Sequence, residues 1–150
     1  DDPSNPNFPN DHKQKNSPEI VDNYLTVGAL TSSFGPGMVA GFSNYGKENV
    51  DVFAPGDGIY STMPNSTYEF QGGTSMAAPA VSGIAAMIRS YFPSLSAAQV
   101  KQVIMDSGIE LGITVNIGEN EVPFTSLSKS GKIANLYNAL ILASEVAAGN

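Results

Sequence analysis

From Met76 to Ile88 the chain carries no charged side chain, and Arg89 is the first to appear. Ala, Met, Ile and Gly dominate the stretch, with Ala77, Ala78, Ala80, Gly83, Ala85 and Ala86 leaving no polar stripe. The spacing and composition predict a helix from Met76 to about Tyr91, ended by Pro93. A helix with no charged face is expected to be buried on most sides, its small residues letting neighbouring backbone approach closely. No run of about 18 apolar residues exists, because Pro79, Ser82 and Gly83 interrupt it, so a membrane-spanning helix is not expected. With 150 residues the chain suits one domain with its own core rather than two.

Around this helix the sequence predicts a mixed architecture. Residues 1–23 hold Pro3, Pro6, Pro9 and Pro18 among Asn5, Asn7, Asn10 and Asn16, the composition of an extended, turn-rich segment. From residue 24 to 150 regular elements are expected. Tyr24 to Leu30, Val50 to Ala54 and Ile59 to Met63 are short runs of β-formers, and Tyr68 to Phe70 adds a fourth. Ser32 to Gly46 reads as loop. Ser96 and Gln99 have the capping-box spacing and open a helix through Val100, Val103 and Ile104, ending near Gly108. Residues 109–131 read as loop or hairpin, with Ile113, Val115 and Ile117 alternating as in a strand. A last helix is expected from Ile133 to Ala147, with Leu136, Leu140 and Ala143 on one face.

Charge narrows the function. The formal net charge is −7, with no basic cluster beyond Lys13 and Lys15, so a nucleic-acid partner is not expected. Charged residues make up 14%, against about 25% for an average soluble domain. Two readings stay open: surface meant to be covered by another part of the protein, or a Ser/Asn/Gly-rich surface. Cysteine is absent, which removes disulfides and thiolate metal sites from consideration. The chain begins Asp1-Asp2-Pro3 with no initiator Met, which reads as a processing site or a cut boundary.

The stretch that carries chemistry is Gly72-Gly73-Thr74-Ser75-Met76-Ala77-Ala78-Pro79. It places Ser75 where a loop becomes a helix, at the positive end of the dipole, among backbone N–H groups with no partners inside the helix. A hydroxyl there can face a substrate carbonyl while those N–H groups stabilise the oxyanion. Gly72 and Gly73 would let a substrate backbone come close, and Pro79 cannot donate to the carbonyl of Ser75. The bland reading is that Thr74 or Ser75 only caps the helix. The spacing is not Gly-x-Ser-x-Gly, so the α/β-hydrolase elbow does not apply.

Gly73-Thr74-Ser75-Met76-Ala77-Ala78-Pro79 resembles the nucleophile signature of the subtilisin-like peptidases (subtilases). The flanks agree in order: Leu25-Thr26-Val27-Gly28-Ala29 is similar to that family's strand ending in Val-Gly-Ala. Phe42-Ser43-Asn44-Tyr45-Gly46 is similar to its Phe-Ser-x-x-Gly turn, and Val52-Phe53-Ala54-Pro55-Gly56 to its strand ending in Ala-Pro-Gly. Phe8-Pro9 and Gly131-Lys132-Ile133-Ala134-Asn135 match more loosely. Ala80 stands where many members have His, and Gly72 where many have Asn. The resemblance implies an α/β fold, the C-terminal portion of a subtilisin-like parallel sheet flanked by helices. It also implies a secreted or cell-envelope serine endopeptidase acting on peptide or protein substrates, with Ser75 as nucleophile and the Ser75 backbone N–H in the oxyanion hole.

The resemblance also exposes what is missing. The family's triad runs Asp, His, Ser along the chain, and neither of the first two motifs occurs here. His12 is the single histidine, in a polar loop where nothing predicts reach to Ser75, so a solvent-exposed role is expected. The partner implied is the N-terminal part of the domain. The chain alone is expected to be inactive and unlabelled by fluorophosphonates. Two other classes remain: a non-catalytic binding module that kept the Ser motif, and a half that forms a homo-oligomer through exposed strand edges. Ca²⁺ is implied by the family only. Asp1, Asp2, Asp11, Asp22 and Asp51 lack EF-hand spacing and are expected mainly to solvate the surface, so no metal site or cofactor is assigned.

Overall fold

The computed structural model describes residues 18–149. His12, Asp1, Asp2, Asp11 and the Phe8-Pro9 step lie outside the described residues. The elements run β1 (Val27–Leu30), β2 (Val52–Pro55), β3 (Ile59–Met63), β4 (Thr67–Gln71), α1 (Thr74–Tyr91), α2 (Ala97–Ser107), β5 (Ile109–Glu110), β6 (Thr114–Ile117), β7 (Asn120–Pro123), β8 (Lys132–Ile133) and α3 (Leu136–Ala147). The central sheet has the order β1-β2-β8-β5. β1, β2 and β8 are parallel, and β5 joins β8 antiparallel. β3–β4 and β6–β7 are separate antiparallel hairpins. The α/β expectation, a parallel sheet flanked by helices, is met.

Alternation along β2 splits the core in two. Val52 and Ala54 join Ala29 against Ala77, Val81, Ile84 and Ile88 of α1, Val100, Val103 and Ile104 of α2, and Ala139 and Ala143 of α3. Phe53 points the other way, into a cluster with Leu30, Val50, Val115, Phe124 and Leu127. Its ring meets Phe124 at a centroid distance of 5.3 Å. Helices therefore cover one face of the sheet, and the β6–β7 hairpin with its flanking loop covers the other. The β1 edge is partly blunted, since Thr31 N–H donates to Met38 O (2.8 Å) and Ala40 N–H to Ala29 O (3.0 Å).

Three expectations need correction. α1 is not buried on most sides: its buried residues, Ala77, Val81, Ile84 and Ile88, form one stripe. Ala78, Ala80, Ser82, Gly83, Ala86 and Met87 face outward. Helical periodicity lets one stripe meet the sheet, and the described chain has no second layer for the other face. The last helix starts at Leu136 rather than Ile133, because Ile133 is held between Phe53 and Ile109 in the sheet. Asn135 then caps the helix, its Oδ1 accepting the Asn138 N–H at 2.9 Å.

The third correction concerns Asp51, which is 4% exposed rather than solvating the surface. Its Oδ1 lies 3.4 Å from Lys101 Nζ, and its Oδ2 accepts the Thr26 N–H at 2.8 Å. Lys101 also reaches Glu19 at 3.2 Å, and Glu19 pairs in addition with Lys129. The network ties the segment before β1 to β2, α2 and the loop before β8.

The capping box at α2 forms as expected. Ser96 Oγ accepts the Gln99 N–H at 3.2 Å, and Gln99 Oε1 accepts the Ser96 N–H at 2.8 Å. Ser96→Ala leaves one first-turn donor unpaired and is expected to cost about 1 kcal/mol. Chemical denaturation checks this as a lower midpoint with an unchanged m-value.

Candidate active site

β1 and β2 run in register from Val27↔Val52 to Leu30↔Pro55, so their carboxyl ends finish side by side. In open α/β sheets that edge is where ligands bind. Leu30 O accepts from Gly56 N–H (2.9 Å) and Asp57 N–H (3.0 Å), and Gly73 N–H donates to Gly56 O (2.7 Å). A continuous backbone path thus joins the end of β1, the end of β2 and the residue before Thr74. It fixes the start of α1 against the sheet edge.

The Ala-Pro-Gly and Gly-Thr-Ser motifs acquire a physical reason here. A Cβ on Gly56 would lie 2.7 Å from Ala29 Cβ, 2.9 Å from Gly73 O and 3.0 Å from Ala77 Cβ. Only glycine allows the three segments to meet. Gly56→Ala is expected to cost about 1–3 kcal/mol through overpacking and to displace Gly73. Denaturation midpoints measure the first effect. Gly73 itself has φ 158° and ψ 159°, a region used almost only by glycine. Ser43, from the Phe-Ser-x-x-Gly turn, is buried, and its Oγ accepts the Ala29 N–H at 2.8 Å, bracing β1.

Gly73 is the N-cap of α1, and it has no side chain with which to cap. Thr74 and Ser75 are the first two helical residues, so neither hydroxyl serves as the N-cap that the bland reading required. Ser75 is exposed, and among the described residues its hydroxyl has no hydrogen-bond partner. Met76 N–H turns back to Gly73 O at 3.0 Å. The N–H groups of Thr74 and Ser75 precede the first helical acceptor and point out of the helix end.

Two neighbours of this loop were not legible in advance. A Cβ on Gly72 would lie 2.6 Å from Asp57 Oδ1 and 3.7 Å from the Phe42 ring. Asp57 and Phe42 therefore occupy the space beside Gly72. Asp57 Oδ1 also accepts the Gly58 N–H at 3.0 Å. Among the described residues no group of three or more His, Cys, Asp or Glu side chains is arranged to hold a metal ion. No helix among the described residues is long and apolar enough to cross a membrane.

Known proteins give this geometry its context. Subtilisin DY of Bacillus licheniformis is 41% identical over 102 residues, 68% of this chain and 36% of its own length. Alkaline elastase YaB of Bacillus sp. is 40% identical over 105 residues, 70% of this chain and 27% of its own length. The chain therefore spans about a quarter to a third of these relatives. Among solved structures, the patellamide maturation protease PatA matches with a TM-score of 0.62 at 26% identity, covering 81% of this chain and 43% of that one. The subtilase cytotoxin SubAB assembly matches in fold, with a TM-score of 0.64 at 20% identity over 92% of this chain and 48% of that one. The sequence model of the subtilase family matches residues 4–135, and with that match the chain belongs to the subtilase family of serine peptidases.

Proposed function

We propose that the longer protein carrying this chain is a serine endopeptidase and that Ser75 is its nucleophile. One observation carries the reading: Ser75 stands exposed at the second position of α1, beside the carboxyl edge of the parallel strands, with no capping role. Ser75 Oγ attacks the scissile carbonyl, and the tetrahedral oxyanion takes a hydrogen bond from the Ser75 backbone N–H. The histidine base takes the hydroxyl proton and gives it to the amine as the peptide C–N bond breaks, leaving an acyl-enzyme on Ser75 that water cleaves to the free acid. The histidine base, the aspartate that orients it and a second oxyanion donor belong to the N-terminal part of the domain, as subtilase membership implies. That part is also the natural cover for the uncharged outer face of α1. The whole protein is expected to act outside the cytoplasm, in the secreted or cell-envelope setting.

The chain alone carries neither the family's His motif nor its Asp motif and is expected to be inactive. Hydrolysis of an unfolded protein substrate by the full-length protein and by the chain alone tests both statements. Cleavage by the former and none by the latter is expected. A folded full-length protein that binds peptides without cleaving them would replace the enzyme reading with that of a binding module.

A further inference from the structure

The β3–β4 hairpin carries apolar side chains on both faces, whereas an ordinary surface hairpin keeps them on the inner one. Ile59, Met63 and Gln71 alternate on its half-buried face. Tyr60, Tyr68 and Phe70 share the opposite face, where they are 60%, 58% and 71% exposed. The three rings form one continuous surface. Tyr60 stacks on Tyr68 at 5.8 Å and 26°, and meets Phe70 at 4.9 Å. A contiguous exposed apolar patch of this kind marks a binding surface.

Its place relative to the nucleophile says what binds. β4 leads through Gly72 and Gly73 directly into Thr74 and Ser75, and the Gly73–Gly56 hydrogen bond fixes the exit of the hairpin (2.7 Å). The alternate-residue series Tyr68, Phe70 continues to position 72. There the exposed Phe42 ring would stand 3.7 Å from a Cβ. The Phe42 ring, beside the Asp57 carboxylate 2.6 Å from the same point, thus extends the aromatic series to within three residues of Ser75. The only charged residue of the two strands is Glu69, on the opposite face, and the chain as a whole carries −7, which disfavours an anionic lipid surface.

We propose that this aromatic face is an accessory docking strip for the polypeptide substrate, taking an extended apolar stretch outside the residues that flank the scissile bond. The inference rests on the serine-peptidase reading and extends it to the substrate class, namely unfolded or extended chains rich in Leu, Phe and Tyr.

Two measurements on the full-length protein test it. In the Ser75→Ala variant, Tyr60 and Tyr68 are expected to be nitrated by tetranitromethane, and to be protected by a 15-residue peptide with Leu and Phe at alternate positions. A Ser/Gly peptide of equal length is expected to leave them reactive. Tyrosines that resist nitration in the free protein, or react equally with either peptide, overturn the proposal, and resistance would mean that another part of the domain covers the face. In the active enzyme, Tyr60→Ser/Tyr68→Ser/Phe70→Ser is expected to lower kcat/KM for the long apolar substrate about tenfold relative to a short one. An equal fall for both substrates contradicts it. So does failure of the triple variant to fold, or loss of self-association without that selective fall. Should the wild type cleave neither substrate, the peptidase reading fails, while the protection experiment still decides the strip.

Discussion

Ser75→Ala in the full-length protein is expected to lower peptide hydrolysis by about 10⁶-fold, the scale on which a triad nucleophile acts, with a fold indistinguishable from the parent. The first half follows from chemistry. Alanine has no atom to be acylated, and the remaining oxyanion donors and binding contacts retain only a small residual acceleration over water. The second half follows from geometry. Ser75 is exposed, makes no cap and sits inside a helix whose N-cap is Gly73. Alanine is the better helix former, so thermal stability is expected to hold or rise slightly. Paired measurements of kcat and Tm check the two halves together. A loss of activity accompanied by unfolding would mean that Ser75 is structural.

Lys101→Ala has the largest expected effect on stability, about 3–5 kcal/mol, read as a lower urea midpoint. Lys101 is 6% exposed and Asp51 4%, and Lys101 is the cation 3.4 Å from the Asp51 carboxylate. Its removal leaves a buried negative charge supported mainly by the Thr26 N–H. Replacing both partners by apolar residues of similar size is expected to cost much less, because no unpaired charge remains.

The pH dependence of that deficit follows from the two carboxylates. Burial raises the Asp51 carboxyl above its ordinary value, and the Thr26 N–H and Lys101 offset this only in part. The folded state thus holds the Asp51 proton more tightly than the unfolded state does, and Asp51 favours folding more as pH falls. Glu19 runs the other way. Burial pushes it up, but hydrogen bonds from Lys129 and Lys101, with their charges, bring it below its ordinary value. Its contribution is present above the unfolded carboxylate value and is lost as pH falls through the lowered folded one. In Lys101→Ala the Asp51 carboxyl rises further and Glu19 loses a partner. The deficit is therefore expected to be largest near neutral pH and to shrink on acidification, as Asp51 takes up a proton.

The parts of the fold legible in the sequence are those set by local rules. The Ser96/Gln99 capping box, the β3 run from Ile59 to Met63 and the end of α1 before Pro93 need only neighbouring residues to form. The start of α3 was misread because Ile133 fits a helical face equally well. Only its pairing with Phe53 and Ile109, distant in sequence, turns it into a strand. The Glu19–Lys101 and Glu19–Lys129 pairs span 82 and 110 residues, beyond any local pattern. For the candidate site, the position of Ser75 at a helix start could be read from Gly72 to Pro79. The bracing by Ser43 and Gly56 and the flanking of Gly72 by Asp57 and Phe42 depend on how strands and loops converge at the sheet edge. Family resemblance points to the segments that meet at this edge without supplying those contacts.

Fluorophosphonate treatment of the full-length protein, followed by digestion and mass mapping of the adduct, bears most directly on the whole account. A single phosphonyl group on the peptide that contains Ser75, absent from the Ser75→Ala protein, is the outcome the geometry requires. A protein that hydrolyses peptides yet carries its adduct on another serine, or carries none, would show that the hydroxyl at the mouth of α1 is not the group that attacks.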